Sequence, residues 1–302
     1  MRTGAWTIQD AKAALSQAGV VQDGQALEPY TSGSRLALQL PGDRIAWFPT
    51  SEAGRLQLVK ERRVLRLLEK HCHFAAPRVV YEDETGWDLR RLVRGEVRSP
   101  ALRERVQRDS RFAYLFGQDL GRILADQHAC VPSTDLEGWL PRTSNWPRPE
   151  DLPHLRQVVH DAKLLERIDL ALERRAAIEC QDNRPVLVHG DLGLHNIAVD
   201  PDSLRVSGVF DYEEAIFGDR HQDFAYMVFQ QDEEPMLDGA LAAYESAMGT
   251  RLDRERILLL NAVAAIGFLA FRHGHLPEEA CCGRTLVQDL AWTHAALFRA
   301  GL

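Results

Sequence analysis

Lysine is nearly missing from this chain of 302 residues, which contains only Lys12, Lys60, Lys70 and Lys163. Arginine supplies almost all of the positive charge, and arginine binds through a rigid planar fork rather than as a compact ammonium. Cysteine is also sparse, and Cys72, Cys130, Cys180, Cys281 and Cys282 are odd in number and scattered. That usage does not form a disulfide framework and points to a reducing cytoplasm. His71-Cys72-His73 and Cys281-Cys282 do not have the spacing of a zinc site. Net positive charge is lacking as well. At −8 with a pI near 5.8, the chain is not expected to bind nucleic acid or an anionic membrane. The longest apolar run, Ile257 to Phe271, spans fifteen residues and includes Asn261, so it reads as a buried helix and not a membrane span. The first residues carry no apolar signal-peptide core.

What is present is an ordinary globular composition, 45% apolar and 26% charged, with enough chain for two lobes. Its acidic residues are unevenly placed. Residues 186–240 hold twelve Asp or Glu against Arg205 and Arg220 alone, a cluster that repels itself unless a cation answers it. Within it, Val186-Leu187-Val188 is a strand-like run leading into His189-Gly190-Asp191. Ile197 to Val199 and Leu204 to Phe210 read as two short strands around the turn Asp200-Pro201-Asp202-Ser203. If they pair as a hairpin, Asn196 and Asp211 stand at its open ends, with Asp191 on the loop leading in. Two carboxylates and a carboxamide are oxygen donors suited to Mg²⁺. Asn196 and Asp211 can take the metal, which leaves Asp191 to accept the proton of a substrate hydroxyl.

His189-Gly190-Asp191-Leu192-Gly193-Leu194-His195-Asn196, followed by Phe210-Asp211-Tyr212-Glu213 and by Gly218-Asp219-Arg220-His221-Gln222-Asp223, resembles the aminoglycoside phosphotransferase and choline kinase superfamily. The resemblance implies an α+β, protein-kinase-like fold of two lobes. Residues 1–95 would form a small β-rich, nucleotide-covering lobe, and residues 96–302 a larger helical lobe for catalysis and acceptor binding. It implies transfer of the γ-phosphoryl group of ATP or GTP, with Mg²⁺, to the hydroxyl of a small acceptor, which can be cationic like an aminoglycoside or choline. Asp191 becomes the catalytic base, and Asn196 and Asp211 the metal ligands. His189 braces the loop, Asp223 ties down the segment after it, and Glu213 completes the Asp-aromatic-Glu pattern. Two other readings stay open, a nucleotide-binding protein without catalysis and a metallohydrolase built on His189, Asp191, His195 and Asp211. His195 is expected to be a packed or loop-supporting histidine, and His128 a core or helix-end one.

Upstream, Thr7 to Ser16 is expected to be helical, and residues 25–49 to hold strands around Thr31-Ser32-Gly33-Ser34 and Leu40-Pro41-Gly42-Asp43. In the family frame Ser32, Gly33, Ser34 and Arg35 belong to the nucleotide-covering loop, and Leu92 and Val93 to the link that meets the base. From Gly54 to His71 the apolar positions Leu58, Val64, Leu65 and Leu68 share a face that also carries Glu61. A carboxylate there either takes a buried cation or reaches solvent at the edge of the stripe. Its family partner is a strand lysine, yet Arg44 to Pro49 has Trp47 or Phe48 at that position. Either Arg35 or Arg44 substitutes from a neighbouring position, or the nucleotide is held differently, or activity is weak. Strands are expected at Pro77 to Tyr81 and Trp87 to Val93, and an irregular connection from Pro132 to Pro153. Helices are expected at Ser110 to Cys130, Leu164 to Cys180, Phe224 to Gln230, Met236 to Met248, Arg254 to His273 and Arg284 to Phe298. Residues 1–95 carry fourteen Lys or Arg against eleven Asp or Glu, so the acidic excess lies in the remainder.

Overall fold

The computed structural model describes residues 5–22, 27–144, 146–179, 184–228, 234–281 and 283–302, with the side chain of Ser32 excepted. By packing, the chain divides into two compact units. The first comprises residues 1–98 and 196–213, the second residues 99–195 and 214–302. A contiguous boundary at residue 95 does not describe this grouping, because the stretch carrying Asn196 and Asp211 pairs with strands of the first unit.

In the first unit, helix α1 (Ile8–Gln17) begins in a capping box between Thr7 and Asp10. Strands β1 (Glu28–Ser32), β2 (Arg35–Leu40) and β3 (Arg44–Pro49) precede helix α2 (Glu52–His71), and β4 (Arg78–Glu82), β5 (Asp88–Arg91) and β6 (Glu96–Val97) follow it. The main sheet is antiparallel in the order β1-β2-β3-β5-β4. Side-chain alternation gives it two unlike faces. Leu36, Leu38, Ala46, Phe48 and Leu89 build an apolar core with Trp6, Ala11 and Leu15 on one face. Arg35, Trp47, Asp88 and Arg90 lie on the other, where Glu61 of α2 meets them.

Helix α2 is capped by Ser51, and its first turn fits closely against the β1–β2 turn. A Cβ at Gly54 would stand 2.1 Å from the carbonyl oxygen of Ser34, so only glycine allows that approach. The Ser34 hydroxyl donates to Gln57 at 3.0 Å, and the Thr50 N–H donates to the Ser34 carbonyl at 2.8 Å.

The second unit opens with α3 (Pro100–Arg108), α4 (Ser110–Cys130), α5 (Leu155–Val158) and α6 (Ala162–Glu179). Strand β7 (Val186–Val188) follows. The chain then passes through the first unit, adding β8 (Ile197–Val199) and β9 (Val206–Val209), before β10 (Ile216–Gly218) pairs antiparallel with β7. Helices α7 (Gln222–Ala225), α8 (Glu234–Met248), α9 (Arg254–Ala270) and α10 (Leu286–Arg299) complete it. The expected helix from Phe224 to Gln230 is instead α7 followed by a tight turn over Tyr226–Val228, and Phe229 and Gln230 lie outside the described residues. The strands β6 and β10 and helix α3 have no counterpart in the sequence-based expectations. Among the described residues no helix is long and apolar enough to cross a membrane.

Candidate active site

The second unit supplies the loop after β7. Val186, Leu187 and Val188 are buried, as the apolar run requires, and the loop behind them is fixed mainly by one carboxylate. Asp223, fully buried, accepts from the backbone N–H groups of His189 and Gly190, both at 3.1 Å. It also faces Gln127 Nε2 at 3.3 Å and His128 Nε2 at 3.0 Å. His128 in turn meets the Tyr244 hydroxyl through Nδ1 at 3.0 Å. Four donors on one dry carboxylate offset the cost of burying it and orient the loop. Gly190 has φ +84°, and a Cβ there would lie 2.4 Å from the Glu214 carbonyl oxygen, which accounts for the glycine between His189 and Asp191.

Buried His189 uses Nδ1 to accept from the Asp191 N–H at 3.2 Å, so the imidazole holds the loop from inside. Asp191 is half-buried, with its side chain 30% exposed, and one of its carboxylate oxygens lies 3.0 Å from His195 Nε2. His195 is therefore engaged with the carboxylate expected to act as base, a contact the sequence does not reveal. The spacing of four residues was the available signal. Gly193 leaves room for the ring, since a Cβ at 193 would stand 2.6 Å from His195 Cε1 and Nδ1.

The first unit carries the oxygen donors. Strands β8 and β9 pair antiparallel, with Ile197 opposite Val209, and the Phe210 N–H donates to the Asn196 carbonyl at 3.0 Å. This pairing places Asn196 and Asp211 at the same open end of the hairpin. Asn196 is buried, and Asp211 takes φ +69°, a conformation rare for a residue with a side chain and typical of functional turns. A carboxamide and a carboxylate at one strand end form a hard-oxygen pair, which fits Mg²⁺ and leaves its other positions to phosphate and water.

Glu61 is buried and paired, which settles its two readings in favour of a cation partner. The partners are arginines on neighbouring strands: Arg35 of β2 at 3.1 Å and Arg90 of β5 at 2.8 Å. Burial works against the Glu61 charge, but Arg90, Arg35 and the Tyr212 N–H outweigh it and hold the carboxyl below its usual range. Arg90 is tied further to Asp88 through Nε at 2.7 Å and its second terminal nitrogen at 3.2 Å. Burial opposes the Arg90 charge too, yet Asp88 and Glu61 raise its pKa well above the ordinary arginine value.

Trp47 occupies the face where a strand lysine was sought, with the Arg35 guanidinium carbon 4.8 Å and that of Arg90 5.9 Å from its ring centre. Phe48 points into the opposite core. Arg44, the other proposed substitute, instead donates to the Pro41 carbonyl at 3.0 Å. The sequence does not single out Arg90, because Asp88-Leu89-Arg90 signals only strand alternation, not what faces it.

Of the loop residues, Gly33 has φ +51° in the turn before Arg35, and the Ser32 side chain lies outside the described residues. Glu213 bonds Arg35 through Oε2. The Leu92 N–H is already donated to the Asp43 carbonyl at 2.7 Å, and Val93 packs toward Gly208 of β9.

The sequence matches the phosphotransferase enzyme family over residues 32–258. The chain belongs to that family. Streptomycin 3''-kinase of Streptomyces griseus is 37% identical over 113 residues, which cover 36% of this chain and 41% of that protein. The wild-type aminoglycoside 2'-phosphotransferase-IIIa, solved with GDP, shares the fold with a TM-score of 0.66 at 18% identity, over 98% of each chain. The macrolide 2'-phosphotransferase MphH of Brachybacterium faecium does so with 0.65 at 20%, over 95% of this chain and 98% of that one. The α+β, kinase-like fold is thus common to proteins named for quite different acceptors.

Proposed function

We propose that this phosphotransferase family member moves the γ-phosphoryl group of ATP or GTP to a hydroxyl of a small molecule. The observation that carries the reading is Asp191. It is a partly exposed carboxylate on a loop whose backbone is held by Asp223 and His189, with one oxygen on His195. In this reading Asp191 orients the acceptor hydroxyl and takes its proton as the new O–P bond forms. Asn196 and Asp211 would hold Mg²⁺, which when bound neutralises charge developing on the phosphates. Glu61, His189 and Asp223 act by holding these elements in place.

The acidic excess after residue 95 and the partial match to a streptomycin kinase support an acceptor that carries positive charge. The second reading is a nucleotide binder without turnover, favoured by Trp47 in place of the strand lysine. The metallohydrolase has less support, since His189 Nδ1 is already engaged by the Asp191 N–H.

The deciding experiment pairs nucleotide binding with turnover on wild type and Asp191→Asn, using streptomycin, other aminoglycosides and choline as acceptors. Wild-type transfer that falls at least about a hundredfold in the variant, with nucleotide affinity kept, supports the kinase. Binding by both proteins with no transfer to any acceptor supports the binder.

A further inference from the structure

No lysine stands on the central strand of the first unit, and the arginines around Trp47 differ in how their donors are used. Each guanidinium nitrogen of Arg90 already has a carboxylate partner. Its Nε and one terminal nitrogen grip both oxygens of Asp88, and the other terminal nitrogen bonds Glu61. Arg62 sits between two carboxylates, 3.3 Å from Glu82 and 3.6 Å from Asp88, although its Nη1 is buried without a hydrogen-bond partner among the described residues.

Arg35 differs. One terminal nitrogen bonds Glu61, while the opposite edge of the guanidinium is only half used. On that edge the second terminal nitrogen bonds Glu213, but Nε is buried with no hydrogen-bond partner among the described residues. The Arg35 side chain is 3% exposed and Glu213 is 26% exposed, so Glu213 is the solvent-facing member of the pair. Trp47 lies beneath the guanidinium and fixes its plane. Arg35 also directly follows the Gly33-Ser34 turn, which is pinned to α2 through Ser34.

An edge of two parallel N–H groups is built to receive two oxygens of one anion. Glu213 satisfies one of them and leaves the other dry and unpaired, an unfavourable arrangement for a buried donor. A phosphoryl group offers enough oxygens to take both.

We propose that the Nε edge of Arg35 is the phosphate-binding cation of this protein, that Glu213 is an exchangeable stand-in for phosphate on it, and that a bound nucleoside triphosphate displaces Glu213. This rests on the phosphotransferase reading above. Arg90 is then a structural cation that keeps Glu61 ionised, and the task of one lysine is divided between two arginines.

The test is calorimetric binding of ATP, GTP, adenosine and guanosine with Mg²⁺ to wild type, Glu213→Gln, Glu214→Gln and Arg35→Lys. Glu214→Gln removes the same charge one residue away from a side chain that makes no bond to Arg35. Releasing the stand-in is expected to tighten triphosphate binding about threefold or more in Glu213→Gln alone, with nucleoside binding unchanged. Arg35→Lys, which keeps charge but loses the fork, is expected to weaken triphosphate binding about tenfold while nucleoside binding persists. Unchanged or weaker triphosphate binding in Glu213→Gln overturns the proposal, as does equal tightening in Glu214→Gln. If Arg35→Lys loses nucleoside binding as well, its fold is damaged and the two glutamate variants decide. Wild type that binds no triphosphate overturns the phosphotransferase reading together with this one. Wild type that binds, with all variants alike, overturns this one only.

Discussion

Single side chains fix much of the local geometry around the candidate base, and Asp223 shows why. It is one carboxylate with no exposure and four donors around it, two of them the N–H groups just before Asp191. Asp223→Ala would leave those donors buried without an acceptor, and the expected loss is about 3 kcal/mol or more. Denaturant unfolding measures it. His195 makes a milder and more local prediction. Its Nε2 hydrogen bond holds one oxygen of Asp191, so His195→Ala is expected to lower kcat about tenfold with little change in nucleotide Kd. His195→Gln, whose amide can donate from a similar distance, should recover much of that rate. Gly193→Ala should reproduce the alanine phenotype without touching either residue, because its methyl group would displace the ring. A drop in nucleotide affinity equal to the drop in kcat would contradict the positioning role.

At the scale of elements, the helical unit depends on two helices that approach until their backbones touch. A Cβ at Gly117 of α4 would lie 1.9 Å from the Met236 carbonyl, and one at Gly121 would lie 2.2 Å from that of Ala240. From the other side, a Cβ at Gly239 of α8 would stand 1.9 Å from the Tyr114 carbonyl. The clashing atoms are backbone, so they yield only if the helices separate. Gly121→Ala would gain helix propensity in isolation, but here it should destabilise by about 2 kcal/mol or more through overpacking. Thermal unfolding gives the sign directly. A rise in Tm would mean that the helices can part at little cost. Since α4 carries Gln127 and His128 and α8 carries Tyr244, this close packing also sets the position of the Asp223 cluster.

For the whole molecule, the relevant variable is pH. Glu61 in the first unit and Asp219 in the second both have carboxyl pKa values below the ordinary range. Burial opposes the Asp219 charge, but His221 Nδ1 and Arg256 Nε, each at 2.6 Å, prevail. His221 accepts through Nε2 from the Asp253 N–H at 3.1 Å, which leaves its proton on the nitrogen facing Asp219. A depressed carboxylate stabilises the folded state fully above its unfolded pKa, near 4, and the contribution disappears as pH falls through the lower folded value. Stability should thus be nearly flat from about pH 7 to 5 on account of these two groups and fall steeply below about pH 4. Asp219→Asn should flatten that fall while lowering stability at pH 7. An unchanged acid limb in the variant would remove Asp219 from the account.

Much of this protein was legible before any coordinates. The strand-like run at Val186, the turn at Asp200, the hairpin pairing that follows, and the helix from Ser110 to Cys130 are local matters of periodicity and turn chemistry, which the chain encodes over a few residues. The spacing of Asp191, Asn196 and Asp211 is local in the same sense, and it pointed to the family. What surrounds Glu61 is not local. Its partners stand 26 residues before it and 29 after it, on strands whose alternation shows which side chains share a face but not what that face meets. Asp223 reaches back 34 residues to His189 and 95 to His128. The sequence by itself determined where the candidate base and the candidate oxygen donors lie, because one loop and one hairpin carry them. Only the tertiary structure decided which cations meet Glu61, because that depends on which buried charges the packed sheet and helix bring within bonding distance.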